Sequence, residues 1–216
     1  MRSNNAFTLM ELMLAVAITS IIGLSIAGVS LALSRSYAHT QDFYSNLQTG
    51  RTSMSRMQDM LRKTKLVTSA GSDCLVVWTG DQEGTGFGQI NRQELVMWIY
   101  NSAASEIRQY SIVYPDALLS ALNVVQPLST VLAAPSLTNL VNTDIYSQST
   151  VIATDVRAFR VTLDQAAPMA RCVKLEITVG SVSAPVKLES AVRLRADATS
   201  KVVIQNSQYV LDTTGL

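Results

Sequence analysis

A chain of 216 residues with a formal net charge of +1 has room for one domain plus an appendage, and no general electrostatic pull toward nucleic acid. Its hydrophobic fraction, 48%, is high, and much of the excess is concentrated in residues 7–33. The single histidine, His39, stands away from other candidate ligands and leaves no histidine-based metal cluster or triad within one subunit.

The polar stretch Met1–Ala6 opens the chain, and an apolar run then extends to Leu33 with Glu11 as its only charged residue. As a helix this run measures about 40 Å, enough to cross a ~30 Å hydrocarbon core with some tilt. An acid within such a span costs roughly 2.5–3.5 kcal/mol on insertion scales, so it marks a functional position whose partner must be sought. Arg2 and the initiator amine flank the run on one side and Arg35 on the other, so charge bias is nearly silent on orientation. A secretory signal fits poorly. The run is too long, Thr8 and Glu11 stand at its head, and Ala15-Val16-Ala17 lies in its middle rather than after it. No cysteine lies near the N-terminus to carry a lipoprotein anchor.

Past Leu33 the chain turns amphipathic. Phe43, Leu47, Gly50, Met54, Met57 and Leu61 recur at helical spacing, with Gln41, Asn46, Arg51, Arg56 and Asp59 on other faces. No proline occurs before Pro115, so one helix of about 60 residues, roughly 90 Å, is expected through residue 66. Gly50 within the stripe predicts a close approach of sheet or strand. Ala70-Gly71-Ser72 reads as the break.

Beyond the break the period becomes two. Strands are expected at Cys74–Trp78, Glu94–Tyr100, Ile107–Tyr114, Arg157–Leu163, Val173–Val179 and Val186–Leu194. Glu94–Tyr100 is apolar throughout, as in a strand buried on both faces. The last two alternate apolar residues with Lys174, Glu176, Lys187 and Glu189, as half-buried antiparallel strands do. Gly80–Asn91 reads as a glycine-rich hairpin loop, and Pro115–Gln148 as a long insertion with a short helix within Asp116–Val125. Loops of that length tend to be functional, and subunit-specific contacts are expected there. The tail after Lys201 adds one more strand.

No phosphate loop, dinucleotide glycine pattern or zinc spacing is present. Gly84, Gly86 and Gly88 lack the strand-to-helix setting a phosphate loop needs. The spacing of Asp73, Asp81 and Glu83 fits no calcium loop. Catalytic, cofactor-binding and metal-ligating residues are therefore expected to be absent, and the chain is not expected to be an enzyme. Cys74 and Cys172 both fall in expected strands. A disulfide between them, worth about 4.7 kcal/mol in the chain-entropy picture, and two buried thiols remain equally open.

The segment Ala6-Phe7-Thr8-Leu9-Met10-Glu11-Leu12 resembles the processing and assembly signal of type IV pilins and type II secretion pseudopilins. In that family a short polar leader and a small residue precede a cut, followed by Phe-Thr-Leu-Ile-Glu-Leu and an apolar helix. Here Ala6 stands where glycine is usual and Met10 where isoleucine is usual. The resemblance implies cleavage between Ala6 and Phe7 and N-methylation of Phe7. The new Phe7 amine would be a cation four residues from Glu11, able to neutralise it between staggered helices. The implied fold is α+β and pilin-like. Its parts are a leader (1–6), a transmembrane helix (7–33), an amphipathic helix (34–66) and a β-rich periplasmic or extracellular head (70–216).

The implied partners are other pilins or pseudopilins, the prepilin peptidase/methyltransferase, the inner-membrane assembly platform and the lipid bilayer, with no nucleic acid and no cofactor. In layout the chain is most like a J-type minor pseudopilin or a W-type minor pilin. A secretion pseudopilus subunit is the first expectation. The rivals are a minor type IV pilin serving pilus assembly, adhesion or DNA uptake, and a membrane-anchored envelope binding domain.

Overall fold

Helix α1 runs from Leu9 to Lys63, 55 residues without interruption. Nothing in its sequence stops it earlier, since glycine weakens a helix but only proline forbids one. The computed structural model describes residues 8–80, 90–115, 118–126, 128–132, 144–181, 184–195, 199–205 and 208–211. Contacts divide the chain into two units, Met1–Tyr44 and Ser45–Leu216.

The second unit is built from the last turns of α1 and antiparallel sheet. β1 (Leu66–Ala70), β2 (Cys74–Trp78), β3 (Leu95–Asn101), β4 (Glu106–Ile112) and β5 (Ser147–Ala153) pair in sequence order as one five-stranded sheet. β6 (Val156–Leu163), β7 (Cys172–Val179) and β8 (Val186–Arg193) form a three-stranded sheet, again in order. β9 (Val202–Gln205) and β10 (Gln208–Leu211) make a separate hairpin. Short helices α2 (Leu119–Leu122) and α3 (Leu128–Val131) fall within the insertion after β4. The helix stripe and the strand alternation imply a helix packed on antiparallel sheet, and the result is the α+β, pilin-like layout that the resemblance implies.

The main core lies where the α1 stripe meets both sheets. Met54, Met57 and Leu61 pack with Leu75, Val77, Val96 and Trp98 of the first sheet and with Val173, Leu175, Ile177 and Val179 of the second. Gly50 marks the closest approach: a Cβ there would lie 2.4 Å from Leu188 Cδ1, so only glycine fits without displacing β8 side chains. Two polar tethers hold α1 between the sheets. The Ser53 hydroxyl donates to the Ile152 carbonyl of β5 at 2.8 Å, and Gln58 Nε2 donates to Ser190 Oγ of β8. The stripe is buried from Gly50 onward, Leu47 is half-buried, and Phe43 is exposed.

Alternate residues of β2 and β3 face a second core. Val76, Trp78, Leu95 and Met97 join Leu66, Ile112, Tyr114, Leu128 and Val131 there. The doubly apolar reading of Glu94–Tyr100 thus corresponds to a strand with a core on each side. Glu94 is itself buried, and it is accommodated by donors: Trp78 Nε1 at 2.9 Å and the Asn91 backbone N–H at 3.0 Å. A buried carboxylate left without such donors would cost several kcal/mol.

Two strands escape the sequence pattern. The helix, expected through residue 66, ends at Lys63, and β1 follows from Leu66 where no strand is expected; β5 begins where the expected insertion ends. β1 lacks the two-residue alternation because it is buried almost throughout, and β5 opens with the polar run Ser147–Thr150. The tail forms two strands rather than one. The glycine-rich loop (81–89), and with it Asp81 and Glu83, lies outside the described residues, as does much of the insertion.

On the outer face of the second sheet Glu176 stands directly opposite Glu189. Like charges so placed repel. Lys174 and Lys187 close a ring around them, with Lys174 Nζ 2.8 Å from Glu176 and 3.0 Å from Glu189, and Lys187 Nζ 3.4 Å from Glu176 and 2.5 Å from Glu189. Hydrogen bonds and charge from the two lysines hold both carboxyls below the usual glutamate range, and the carboxylates raise both lysines. At the β6–β7 turn, burial pushes the Asp164 carboxyl up. The backbone N–H groups of Cys172, Arg171 and Gln165 outweigh it and hold the group below its usual range.

Groups with lowered carboxyl pKa values contribute stability above the unfolded-state value and lose it as pH falls through the folded-state value. Thermal unfolding followed from pH 7 to pH 3 should therefore show declining stability. The Glu176→Gln/Glu189→Gln variant should decline less steeply, and high salt should narrow the difference because these groups are partly exposed. Met57→Asp places an unpaired charge in the main core and should abolish cooperative melting, whereas Met57→Ala should cost about 2–5 kcal/mol.

Candidate processing and assembly site

The first turn of α1 carries the chemistry. Thr8 is the residue before the helix, and Glu11 lies three residues on, the spacing of a reciprocal capping box. The Thr8 backbone N–H donates to Glu11 Oε2 at 2.9 Å, and the Thr8 hydroxyl lies 3.0 Å from the same oxygen. The Glu11 N–H in turn approaches Thr8 Oγ1 at 3.3 Å. Four backbone N–H groups at a helix start lack partners within the helix, and this arrangement serves some of them locally. It also places a carboxylate at the positive end of the helix dipole, where an anion is favoured. The sequence reading identified Glu11 but missed Thr8 as its holder. The signal was present as a Thr-x-x-Glu spacing ahead of an apolar run.

The described hydrogen bonds accepted by the Glu11 carboxylate all fall on Oε2, so Oε1 has capacity for another donor. Ala6 and Phe7, the expected cleavage pair, lie outside the described residues.

From Leu9 to Leu33 every residue is exposed, including Leu9 at 78%, Met10 at 82% and Leu24 at 74%. An apolar surface of this extent calls for an apolar environment, a bilayer or other helices. The helix is long and apolar enough to cross a membrane. Its hydroxyls do not contradict that. Thr19 bonds the Ala15 carbonyl at 2.9 Å, Ser20 the Val16 carbonyl at 2.7 Å and Ser25 the Ile21 carbonyl at 2.9 Å, so each is satisfied within the helix. Added Cβ atoms at Gly23 and Gly28 would meet nothing within 4 Å, so neither glycine is required by contacts within the chain.

Elsewhere the described residues show little that resembles catalytic machinery. They contain no group of three or more His, Cys, Asp or Glu side chains placed to hold a metal ion. Cys74 and Cys172 are free thiols, each half-buried, and burial pushes the Cys74 thiol up, away from the reactive thiolate form. His39 is exposed on α1.

Residues 1–32 match the prokaryotic N-terminal methylation motif, the signature of type IV pilins and pseudopilins. No curated protein matches the chain. The motif points to a structural subunit that is processed by a prepilin peptidase and assembles with other pilins. Together with the apolar helix it fits a single-pass inner-membrane anchor.

Replacing Thr8 tests the capping box. Thr8→Val removes the hydroxyl and should cost about 1 kcal/mol at the helix start. Amide hydrogen exchange at Leu9–Leu12 of the micelle-bound chain should then be roughly fivefold faster. Thr8→Ser should leave it close to the parent.

Proposed function

We propose that this chain, which carries the N-terminal methylation signature of type IV pilins and pseudopilins, is a minor subunit of a type II secretion pseudopilus. The carrying observation is the match over residues 1–32 together with the exposed apolar helix that continues into the head. The peptidase removes residues 1–6 and the Phe7 amine is methylated. The mature subunit waits in the inner membrane as a single-pass protein with its head in the periplasm. The assembly platform then lifts it into a filament or its initiating tip. There the apolar helices exchange lipid for one another, and the surface of Leu9–Leu33 becomes interior.

Glu11 supplies the selectivity of that step. Its Oε2 atom is engaged by Thr8, and Oε1 faces no described donor. An incoming Phe7 amine of a neighbouring subunit can bind there, so that each charge removes the other's desolvation cost. The function is mechanical, and the chemistry belongs to the processing enzymes. A minor type IV pilin in pilus assembly, adhesion or DNA uptake would share all of these steps. It would differ in the machine that moves the subunit.

Mass spectrometry of the mature protein should find methylated Phe7 at its start, and an intact Met1 terminus in cells with an active prepilin peptidase would favour a plain membrane anchor instead. Glu11→Ala should be cleaved and should insert as well as the parent or better, since a buried charge is gone. It should nevertheless fail to be recruited. Crosslinking of cysteines placed near Phe7 of one subunit and position 11 of its neighbour reads that loss directly, and unchanged recruitment would reduce Glu11 to a helix cap.

A further inference from the structure

The apolar stretch of α1 carries a formal charge at each end. Glu11 stands at its start and Arg35 just past its finish, both within the unit Met1–Tyr44. No residue between them is charged. Because α1 is unbroken, helix geometry fixes their interval at about 36 Å along the axis. The hydrocarbon core of a bilayer is ~30 Å thick, and its polar layers bring the total to about 40–45 Å. The two charges therefore fit one in each polar layer, with only uncharged surface between them.

The turn after Leu33 suits such a layer. Ser34, Arg35, Ser36 and Tyr37 are all exposed, and the exposed polar residues His39, Gln41 and Asp42 follow. Tyr37 is 74% exposed, so packing within the chain does not hold its ring. A tyrosine has an apolar ring and a polar tip, and such residues collect at headgroup level. No acid lies within four residues of Arg35 on either side, so its neighbours on the helix surface offer no counter-charge. Asp42, the next acid along α1, is about 10 Å further along the axis.

From the fixed interval between Glu11 and Arg35, and from the exposed turn that carries Arg35 and Tyr37, we infer that this turn binds phospholipid headgroups of the leaflet opposite Glu11. The Arg35 guanidinium takes a lipid phosphate, which its planar fork matches. The Tyr37 ring lies at the same level. The contact fixes the depth of the waiting subunit, with Glu11 in the polar layer of the other leaflet and outside the hydrocarbon. The interval exceeds the hydrocarbon core by only about 6 Å, roughly one helical turn. Lifting the chain further draws Glu11 into hydrocarbon, where it needs a counter-charge. Glu11 is thus costly during extraction and not before it. The inference rests on the membrane-anchor reading above and adds to it a lipid partner.

The test uses the full chain in vesicles of phosphatidylethanolamine and phosphatidylglycerol at high lipid excess. Arginine guanidinium carbons are labelled with carbon-13, and Arg2→Gln silences the arginine at the other end of the span. Solid-state NMR measures dephasing of the guanidinium signal by lipid phosphorus-31, which is strong at the roughly 4 Å separation of a guanidinium–phosphate pair. The expected result is dephasing of the fraction that matches one arginine. Arg35→Gln should abolish it and Tyr37→Ala should reduce it, while both variants resist alkaline carbonate extraction as the parent does. Dephasing unchanged in both variants would overturn the inference. So would an inserted parent chain without dephasing, or one whose Arg35 contacts a carboxylate of a second copy instead of phosphorus. A parent chain that carbonate extracts would instead overturn the membrane-anchor reading, and this inference with it.

Discussion

Helix α1 must satisfy two different solvents with one continuous backbone. Over Leu9–Leu33 it exposes apolar side chains on every face, and from Gly50 to Leu61 it buries a narrow stripe between two sheets. The first condition suits lipid or a packed bundle of like helices, where a uniform apolar surface carries no penalty. The second suits water, where a helix is held by one buried face. The transition needs no break in hydrogen bonding, only a change in which residues recur at helical spacing. The main core is arranged around the second half. Ser53 holds β5, Gln58 holds β8, and Gly50 admits Leu188.

The charged first turn follows the same logic. A carboxylate within an apolar helix is tolerable where the backbone itself is electropositive, and Glu11 lies at that end. Thr8 presents both a backbone N–H and a hydroxyl to one of its oxygens. The acid is thus held in place as part of the helix terminus. What is held is also oriented, which is the condition for a carboxylate to select an incoming amine rather than merely attract one. In this reading stability and assembly draw on different oxygens of the same side chain.

The head shows how a small set of strands reaches adequate burial. β2 and β3 each serve two cores, one toward α1 and one toward the insertion. Sharing the same strands between two apolar layers raises the buried fraction without lengthening the chain. The cost is a polar group placed deep in the structure, Glu94, and it is offset by the Trp78 and Asn91 donors around it. The outer face of β7 and β8 solves a different problem. There the register sets Glu176 against Glu189, and two lysines make that pairing acceptable.

Much of this was legible in the order of residues, because local periodicity reports directly on the environment of each face. The apolar run with its lone Glu11, the stripe through Gly50, Met54, Met57 and Leu61, and the alternation in β7 and β8 all name their surroundings. Elements buried on every side escape such reading. β1 shows no alternation, because both of its faces are covered, and β5 reads as loop because its first half is a polar edge. The partners of individual side chains were equally hidden. That Ser53 reaches Ile152, that Trp78 reaches Glu94 and that Cys74 and Cys172 stand as separate thiols are facts about distance. Segments far apart in sequence meet only when the sheets fold onto α1. Composition and periodicity therefore determined which faces are apolar, and tertiary packing alone decided which residues those faces meet.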